Sequence, residues 1–222
     1  MDEEECMRVL VLWTGGKDSY HAYRKAKAMG HQAVSLVTFT GGEKFKCHNQ
    51  DAMRLQARAM KVPYQIRKIG DPFIVSYKET LREMCKSLNV EGIVTGDLGV
   101  PDSFHENWME RICSELGLKL VRPLWNKDRK EYLKELVDQK TEIIITCVLK
   151  KLFGAEWVGK KLDGSALAEI LELSEKKGMD PCGEKGEYHT LVLDGEDFCS
   201  KLKVSYTLGE TTDLWYLKAE KF

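Results

Sequence analysis

The chain has 222 residues, of which 43% are hydrophobic, so it is long enough and apolar enough to form a substantial core. Its 34 basic and 35 acidic residues leave a formal net charge of −1, which disfavours bulk electrostatic binding to nucleic acid or to anionic membranes. The amino terminus is acidic, unlike a secretory signal, and no apolar run approaches the roughly 18 residues of a membrane span, so we expect a cytoplasmic protein.

The first predicted elements are a strand over residues 7–13 and a helix over residues 19–29, joined by Thr14-Gly15-Gly16-Lys17-Asp18-Ser19. Two glycines let the backbone approach an anion closely, while the hydroxyls of Thr14 and Ser19 and the ammonium of Lys17 add donors. This order predicts a phosphate-binding loop, with an ordinary strand-to-helix turn capped by Ser19 as the alternative. A Walker A loop is excluded because Lys17 is followed by Asp18 and Val11 replaces its first glycine.

Strands and helices continue to alternate after this loop. Further strands are predicted near residues 33–39, 64–66, 92–95 and 119–121, and helices are predicted up to residue 59, over 77–88 and over 108–116. Alternation of this kind is typical of an α/β fold with a doubly wound parallel sheet.

The pattern changes after Trp125. A helix over 128–139, a strand over 142–147, a helix over 165–177 and strand-like runs over 201–208 and 214–219 predict a smaller α+β unit. We therefore expect two domains, 1–125 and 126–222, which pack closely and share a cleft.

Gly96 and Asp97 follow the fourth predicted strand. Because ligands of open parallel sheets bind beyond the carboxyl ends of the strands, this pair is expected at the same edge as the glycine loop. A plain turn at the end of the strand is the alternative.

The segment 182–190 carries the second cluster of chemically active residues, Gly183, Glu184, Gly186, Glu187, His189 and Thr190. Strand alternation would place Glu187 and His189 on one face, where they could bind an amine or ammonium and accept its proton. A solvated hairpin with charges facing water is the alternative.

Metal sites of the zinc type are not predicted. The seven cysteines are scattered, form no Cys-x-x-Cys pair and are expected to be reduced and mostly core-filling. Only Cys182 and His189 lie near each other in the second cluster, and the adjacent Cys47 and His48 are expected to lie in an ordinary loop.

The hexapeptide from Thr14 to Ser19 resembles the PP-loop of ATP pyrophosphatases, Ser-Gly-Gly-x-Asp-Ser. Together with Gly96-Asp97, Pro123-Leu124-Trp125 and the segment 182–190, it makes the whole chain similar to the diphthine–ammonia ligase family. The resemblance implies a HUP-type (Rossmann-like) ATP-binding domain and a small carboxy-terminal domain that helps form the substrate site. It also implies an AMP-forming reaction in which ATP adenylates the carboxylate of diphthine on elongation factor 2 and ammonia gives the amide.

The resemblance further implies a role for each matching residue. Pyrophosphate and nucleotide binding fall to Thr14, Gly15, Gly16, Lys17, Asp18, Ser19, Gly96 and Asp97, with Asp18 holding Mg²⁺. Acceptor or ammonia handling falls to Gly183, Glu184, Gly186, Glu187, His189 and Thr190. Within these sets Lys17, Asp18, Glu184 and Glu187 are the expected catalytic residues. The sequence leaves the oligomeric state open, with a homodimer among the options.

Three positions depart from the family pattern: Thr14 replaces the usual Ser, His189 stands where Glu is frequent, and the stretch 103–110 differs from the usual Tyr-Gln and Arg-Val-Glu groups. The last two concern the acceptor site, so they bear on which acceptor is used rather than on ATP chemistry. A PP-loop enzyme that thiolates a tRNA base and a non-catalytic ATP-binding protein are the competing interpretations.

Overall fold

The computed structural model describes residues 6–42, 47–99 and 108–221 of the chain. Within these residues the chain divides into two compact units. The first comprises 6–14, 18–42, 62–99 and 108–125, and the second comprises 15–17, 47–61 and 126–221. The simple division at residue 125 stays a prediction.

The first unit is built on a parallel sheet of five strands in the order β3-β2-β1-β4-β5. The strands are β1 (Arg8–Leu12), β2 (Gln32–Thr40), β3 (Tyr64–Lys68), β4 (Gly92–Val94) and β5 (Lys119–Val121). Helices α1 (Lys17–Ala28), α3 (Phe73–Leu88) and α4 (Trp108–Leu116) connect them. The predicted doubly wound parallel sheet is therefore confirmed, and its strand order reverses between β1 and β4.

The core of the first unit lies between this sheet and helices α3 and α4. Leu10, Ile93, Leu81 and Ile112 are buried there, because the apolar faces of both helices cover the sheet. The ring of Tyr77 lies 4.2 Å from that of Phe39 and 4.9 Å from that of Trp108, measured between centroids. Packing of this kind fixes the strand ends that carry the candidate site.

The second unit contains an antiparallel sheet of four strands in the order β7-β6-β9-β8. Its strands are β6 (Glu142–Leu149), β7 (Tyr188–Asp194), β8 (Ser205–Glu210) and β9 (Leu214–Lys221). Its helices are α2 (Gln50–Ala59), α5 (Arg129–Asp138) and α6 (Gly164–Lys177), with a short 3₁₀ helix at Ala155–Trp157. The predicted smaller α+β unit is confirmed.

The helices of the second unit start where their sequences provide a cap. The side chains of Asn49, Asp128 and Asp163 each accept two backbone N–H groups from the first turns of α2, α5 and α6. Such caps satisfy donors that have no partner inside the helix.

In the part of the chain that the structure describes, no helix combines the length and apolar character that crossing a bilayer requires.

Candidate functional site

The loop between β1 and α1 starts at the strand-order reversal of the first unit. The Oγ1 of Thr14 lies 3.2 Å from the Oγ of Ser19, which also accepts a hydrogen bond from the Thr14 N–H at 3.4 Å. Thr14 is exposed and Ser19 is buried. Helix α1 begins at Lys17, two residues earlier than predicted, because Asp18 in its first turn is favoured by the helix dipole.

Gly96 packs directly against this first turn. A Cβ at Gly96 would lie 2.7 Å from the backbone carbon of Asp18 and 2.9 Å from the nitrogen of Ser19, so no side chain fits there. The prediction that Gly96 and Asp97 lie at the same sheet edge as Asp18 therefore agrees with the geometry of the first unit. A glycine is needed at residue 96 for this close approach, which a plain turn would not demand.

Asp97 and Asp18 form a pair of carboxylates at this edge. Burial raises the pKa of Asp97, the hydroxyl of Thr95 and the guanidinium of Arg122 lower it, and the charge of Asp18 raises it further. Two neighbouring carboxylates suit a hard divalent cation, and Mg²⁺ is usually held by one or two carboxylates together with phosphate oxygens. Among the described residues no group of three or more His, Cys, Asp or Glu side chains could hold a metal. The donor set therefore fits a magnesium ion that phosphates help to bind.

Arg122 lies behind this carboxylate pair. Its guanidinium stacks on the ring of Trp125 at 3.9 Å and pairs with Glu110. The predicted site did not include this arginine, although it supplies positive charge near Asp97. A sequence signal existed, because Arg122 directly precedes the family-like Pro123-Leu124-Trp125.

Within the second unit, residues 15–17 are held by α2 and β7. Gly15, at φ +76°, accepts hydrogen bonds from the Val192 N–H at 3.0 Å and from the Gln56 amide at 2.8 Å. The same amide nitrogen of Gln56 also donates to the Val192 carbonyl at 2.7 Å. A Cβ at Gly15 would lie 2.6 Å from the Oε1 of Gln56. Both the conformation and the close approach therefore require glycine at this position.

Gln56 was missed by sequence reasoning. It is fully buried and makes the hydrogen bonds to Gly15 and Val192, yet in the sequence it is one polar residue of an amphipathic helix. Its only sequence signal was its place within the stretch 55–63, which also fits the pattern of the diphthine–ammonia ligase family.

Lys17 is fixed at both its backbone and its side chain. Its N–H donates to the Oγ1 of Thr190 at 3.0 Å, and its ammonium donates to the Cys182 carbonyl at 2.6 Å. The ammonium also lies 5.5 Å from the centre of the Tyr188 ring, and only 3% of Lys17 is exposed. The second unit thus brings together two regions that the sequence predicted as separate, Lys17 and the segment 182–190.

Glu187 holds the loop before β7 in shape. Its two carboxylate oxygens accept the backbone N–H groups of Asp180 and Lys185, each at 2.9 Å, and the residue is buried. Gly183 and Gly186 adopt positive φ within the same loop, and a Cβ at Gly183 would lie 2.8 Å from the Tyr188 carbonyl. Glu187 therefore has a structural role, and its contact with an acceptor stays a prediction. Glu184, in contrast, is exposed at the loop surface.

His189 is neutral at physiological pH. Burial and the positive charge of Lys17 lower its pKa to about 4. Its ring lies 4.8 Å from the ring of His48, measured between centroids. A neutral imidazole can accept a hydrogen bond from an uncharged amine, but it is a weak base for an ammonium ion.

The stretch 103–110, which departs from the family pattern, falls mostly on residues outside the described ranges, apart from the start of α4 at residues 108–110.

Comparisons with known proteins match both parts of the chain. Residues 7–120 match the family model of the diphthamide synthase N-terminal domain, and residues 128–220 match that of the C-terminal domain. Diphthine–ammonia ligases from Bos taurus and Homo sapiens are similar to this chain at 30% and 29% identity, over 89% of the chain and 83% of each relative.

Two further comparisons are more limited. The diphthine–ammonia ligase of Schizosaccharomyces pombe is 29% identical over 85% of this chain, which covers 34% of that longer relative. A crystal structure of a predicted subunit of tRNA methyltransferase from Methanocaldococcus jannaschii aligns with 88% of this chain and 100% of its own, at 15% identity and a TM-score of 0.48. At that level the structural match carries no functional argument.

Proposed function

The chain belongs to the diphthamide synthase family and is an enzyme of the carbon–nitrogen ligase class, and from this premise we propose that it converts diphthine on elongation factor 2 to diphthamide. The proposed reaction uses ATP and ammonia. A carboxylate oxygen attacks the α-phosphorus of ATP, giving an acyl adenylate and pyrophosphate. Ammonia then attacks the acyl carbon, and the amide, AMP and a proton are released. We propose that the reaction takes place in the cytoplasm.

The observation that carries this proposal is the phosphate loop at the reversal of strand order. Gly96 is packed on the backbone of Asp18 and Ser19, and Asp97 lies near enough for the charge of Asp18 to raise its pKa. Crevices at such reversal points are where open α/β sheets bind ligands. A carboxylate pair suits Mg-ATP better than a free anion, because Mg²⁺ offsets both carboxylate charges.

We assign the phosphate end of ATP to the loop from Thr14 to Ser19. Gly15 and Gly16 allow a close approach of the backbone, and the start of α1 gives favourable field for phosphate oxygens. Lys17 would neutralise charge on the departing pyrophosphate, since its ammonium is already held in place by the Cys182 carbonyl. Asp18 and Asp97 would hold Mg²⁺, which supplies electrostatic stabilisation of the leaving group.

We assign acceptor and ammonia handling to the loop before β7 and to the start of β7. Glu184 is exposed at the surface of this loop, and we assign it to contact with a protein acceptor, whereas Gly183, Gly186 and Glu187 set the shape of the loop. Neutral His189 can hold ammonia as a hydrogen-bond acceptor, and Thr190 positions the backbone of Lys17.

The direct test is mass spectrometry of diphthine-bearing elongation factor 2 incubated with the protein, Mg-ATP and ammonium, with AMP and ADP quantified together. We expect amide and AMP in equal amounts and no ADP.

We expect Asp18→Asn to reduce AMP formation by about a hundredfold, because the metal ligand and its charge are lost. Asp51→Asn is the matched control, since Asp51 is an exposed carboxylate at the start of α2 that forms an ion pair with Arg54 on the same helix.

Other outcomes separate the competing interpretations. AMP formation with the acid untouched would keep the ATP pyrophosphatase chemistry and remove diphthine as the acceptor, so that tRNA bases would be tried next. ATP binding without AMP would favour a non-catalytic binder.

A further inference from the structure

A pair of thiols lies in the second unit, outside the residues used above. Cys147, in β6, is fully buried, and Cys47, just before α2, is partly exposed. The Oγ1 of Thr146 donates to the Cys47 carbonyl at 3.2 Å, which aligns residue 47 along β6. The two thiols lie near enough for Cys47 to raise the pKa of Cys147. Sequence reasoning treated both residues as unrelated, because a hundred or so positions separate them.

Two imidazoles adjoin this pair. His189 is the register partner of Cys147 across β6 and β7, and its ring lies 4.8 Å from the ring of His48, the residue after Cys47. Among the described residues, no group of three or more His, Cys, Asp or Glu side chains could hold a metal ion. Two neighbouring thiols are suited to oxidation to a disulfide.

We propose that Cys47 and Cys147 form a redox-active dithiol, which hydrogen peroxide converts reversibly to an intramolecular disulfide. The Cys47 sulfur attacks one peroxide oxygen, the O–O bond breaks, and Cys47 sulfenic acid and one water form. The Cys147 sulfur then attacks the Cys47 sulfur, the S–O bond breaks, and a second water leaves with the Cys147 proton. Two thiols lose two electrons in total, and these reduce the peroxide to two waters.

The order of attack follows from exposure and from protonation. Peroxide reaches the partly exposed Cys47 before the fully buried Cys147. The neighbouring Cys47 side chain, burial and the charge that Cys47 acquires all raise the pKa of Cys147, so the first proton of the pair leaves Cys47. Cys147 is then the resolving thiol.

The disulfide would connect the segment preceding the Asn49 cap of α2 to β6. Helix α2 carries Gln56, which holds Gly15 and Val192 through its amide. The disulfide would therefore constrain the start of the helix whose Gln56 supports residues 15–17.

The test is peptide mapping of the native full chain after brief exposure to hydrogen peroxide, with free thiols alkylated under denaturing conditions. We expect two alkylatable thiols to be lost from one molecule, a cross-linked peptide pair containing Cys47 and Cys147, and full recovery with dithiothreitol. The measurement needs neither ATP nor an acceptor, so its outcome is independent of the proposed ligase function. A second sample, in which the exposed Cys6 and Cys199 are replaced by Ser, excludes cross-links between molecules.

The chain offers a matched control pair. Cys85 and Cys113 lie near enough to interact electrostatically in the first unit, but both are buried, and burial raises the pKa of Cys85 to about 12 and that of Cys113 to about 11. We expect this pair to stay reduced in the same sample. In Cys147→Ser, the sulfenic acid of Cys47 should persist and be trapped by dimedone.

The proposal is overturned if, in the native chain, Cys47 and Cys147 both remain alkylatable after Cys199 has already been oxidised. It is equally overturned if Cys85 and Cys113 cross-link at the same rate. Both readouts come from chains with the dithiol intact, so they stand even if the Cys147→Ser variant fails to fold.

Discussion

The residue that departs most from its ordinary chemistry is His189. Its pKa is lowered to about 4 by burial and by the ammonium of Lys17, and its ring packs against His48. The family resemblance predicts Glu at this position in many members. A neutral imidazole avoids placing a buried negative charge beside Lys17, yet it keeps a hydrogen-bond acceptor there.

We predict a pH-dependent stability that His189 accounts for. The unfolded chain binds a proton at its imidazole below about pH 6.5, whereas the folded chain resists protonation down to about pH 4. Stability from this residue is therefore complete above about pH 6.5 and is lost as the pH falls from there towards 4, by about 1–3 kcal/mol. Other groups facing His189 are His48, the Cys147 thiol and Lys17.

The measurement is urea unfolding at pH 7 and at pH 5, for the native chain and for His189→Gln. The glutamine variant should lose part of the pH dependence, because an amide does not titrate in this range. The same difference between the two pH values in both chains would contradict the assignment of the lowered pKa.

At the scale of elements, the sequence predicts best where a signal is local. The strands and helices of the first unit follow from apolar periodicity, and the starts of α2, α5 and α6 follow from capping side chains. The topological rule for open sheets predicts Gly96 and Asp97 at the same sheet edge as the glycine loop, although it does not predict the packing of Gly96 on the backbone of Asp18. These parts need no knowledge of distant contacts.

Other parts of the candidate site depend on residues far apart in the chain, and the sequence could not predict them. Nothing local to Lys17 indicates that its N–H is held by Thr190 or its ammonium by the Cys182 carbonyl. Nothing local to Glu187 indicates that its carboxylate is engaged by the backbone of residues 180 and 185. Carboxylates that hold a loop and carboxylates that meet a substrate look alike in a sequence.

Helix α2 yields a prediction at the same scale. Gln56→Ala removes the hydrogen bonds from one buried amide to the carbonyls of Gly15 and Val192 and leaves a cavity at the loop. Because buried carbonyls lose partners, we expect the free energy of unfolding to fall by about 2–4 kcal/mol. We also expect AMP formation to fall, since Gly15 loses its support.

Arg54→Ala is the control for this variant, because Arg54 is on the same helix but is exposed and forms an ion pair with Asp51 one turn earlier. Its unfolding free energy should change by less than about 0.5 kcal/mol. The measurements are denaturant unfolding and the AMP assay, each run on both variants. Equal behaviour of the two would show that Gln56 is an ordinary helix residue.

At the scale of the whole molecule, basic and acidic residues are nearly balanced, and the formal net charge of −1 disfavours partners that bind through bulk charge. If ATP binds the folded chain only, it must stabilise the whole molecule by mass action. The proposed role of Mg²⁺ adds a condition, since two neighbouring carboxylates repel phosphates when no cation lies between them.

We therefore predict that Mg-ATP raises the melting temperature and that ATP with a chelator raises it far less. At a concentration a hundredfold above its dissociation constant, a ligand adds about 2.7 kcal/mol. For a chain of this length that corresponds to a shift of about 5–10 °C, taking roughly 2–4 °C for each kcal/mol. In Asp97→Asn, the loss of one carboxylate charge reduces the repulsion of ATP phosphates and weakens the binding of Mg²⁺. We therefore expect ATP with a chelator to raise the melting temperature of this variant more than Mg-ATP does. Equal shifts with and without Mg²⁺ in the native chain would place the metal elsewhere than on Asp18 and Asp97, and the loop would then bind phosphate through its backbone and Lys17 alone.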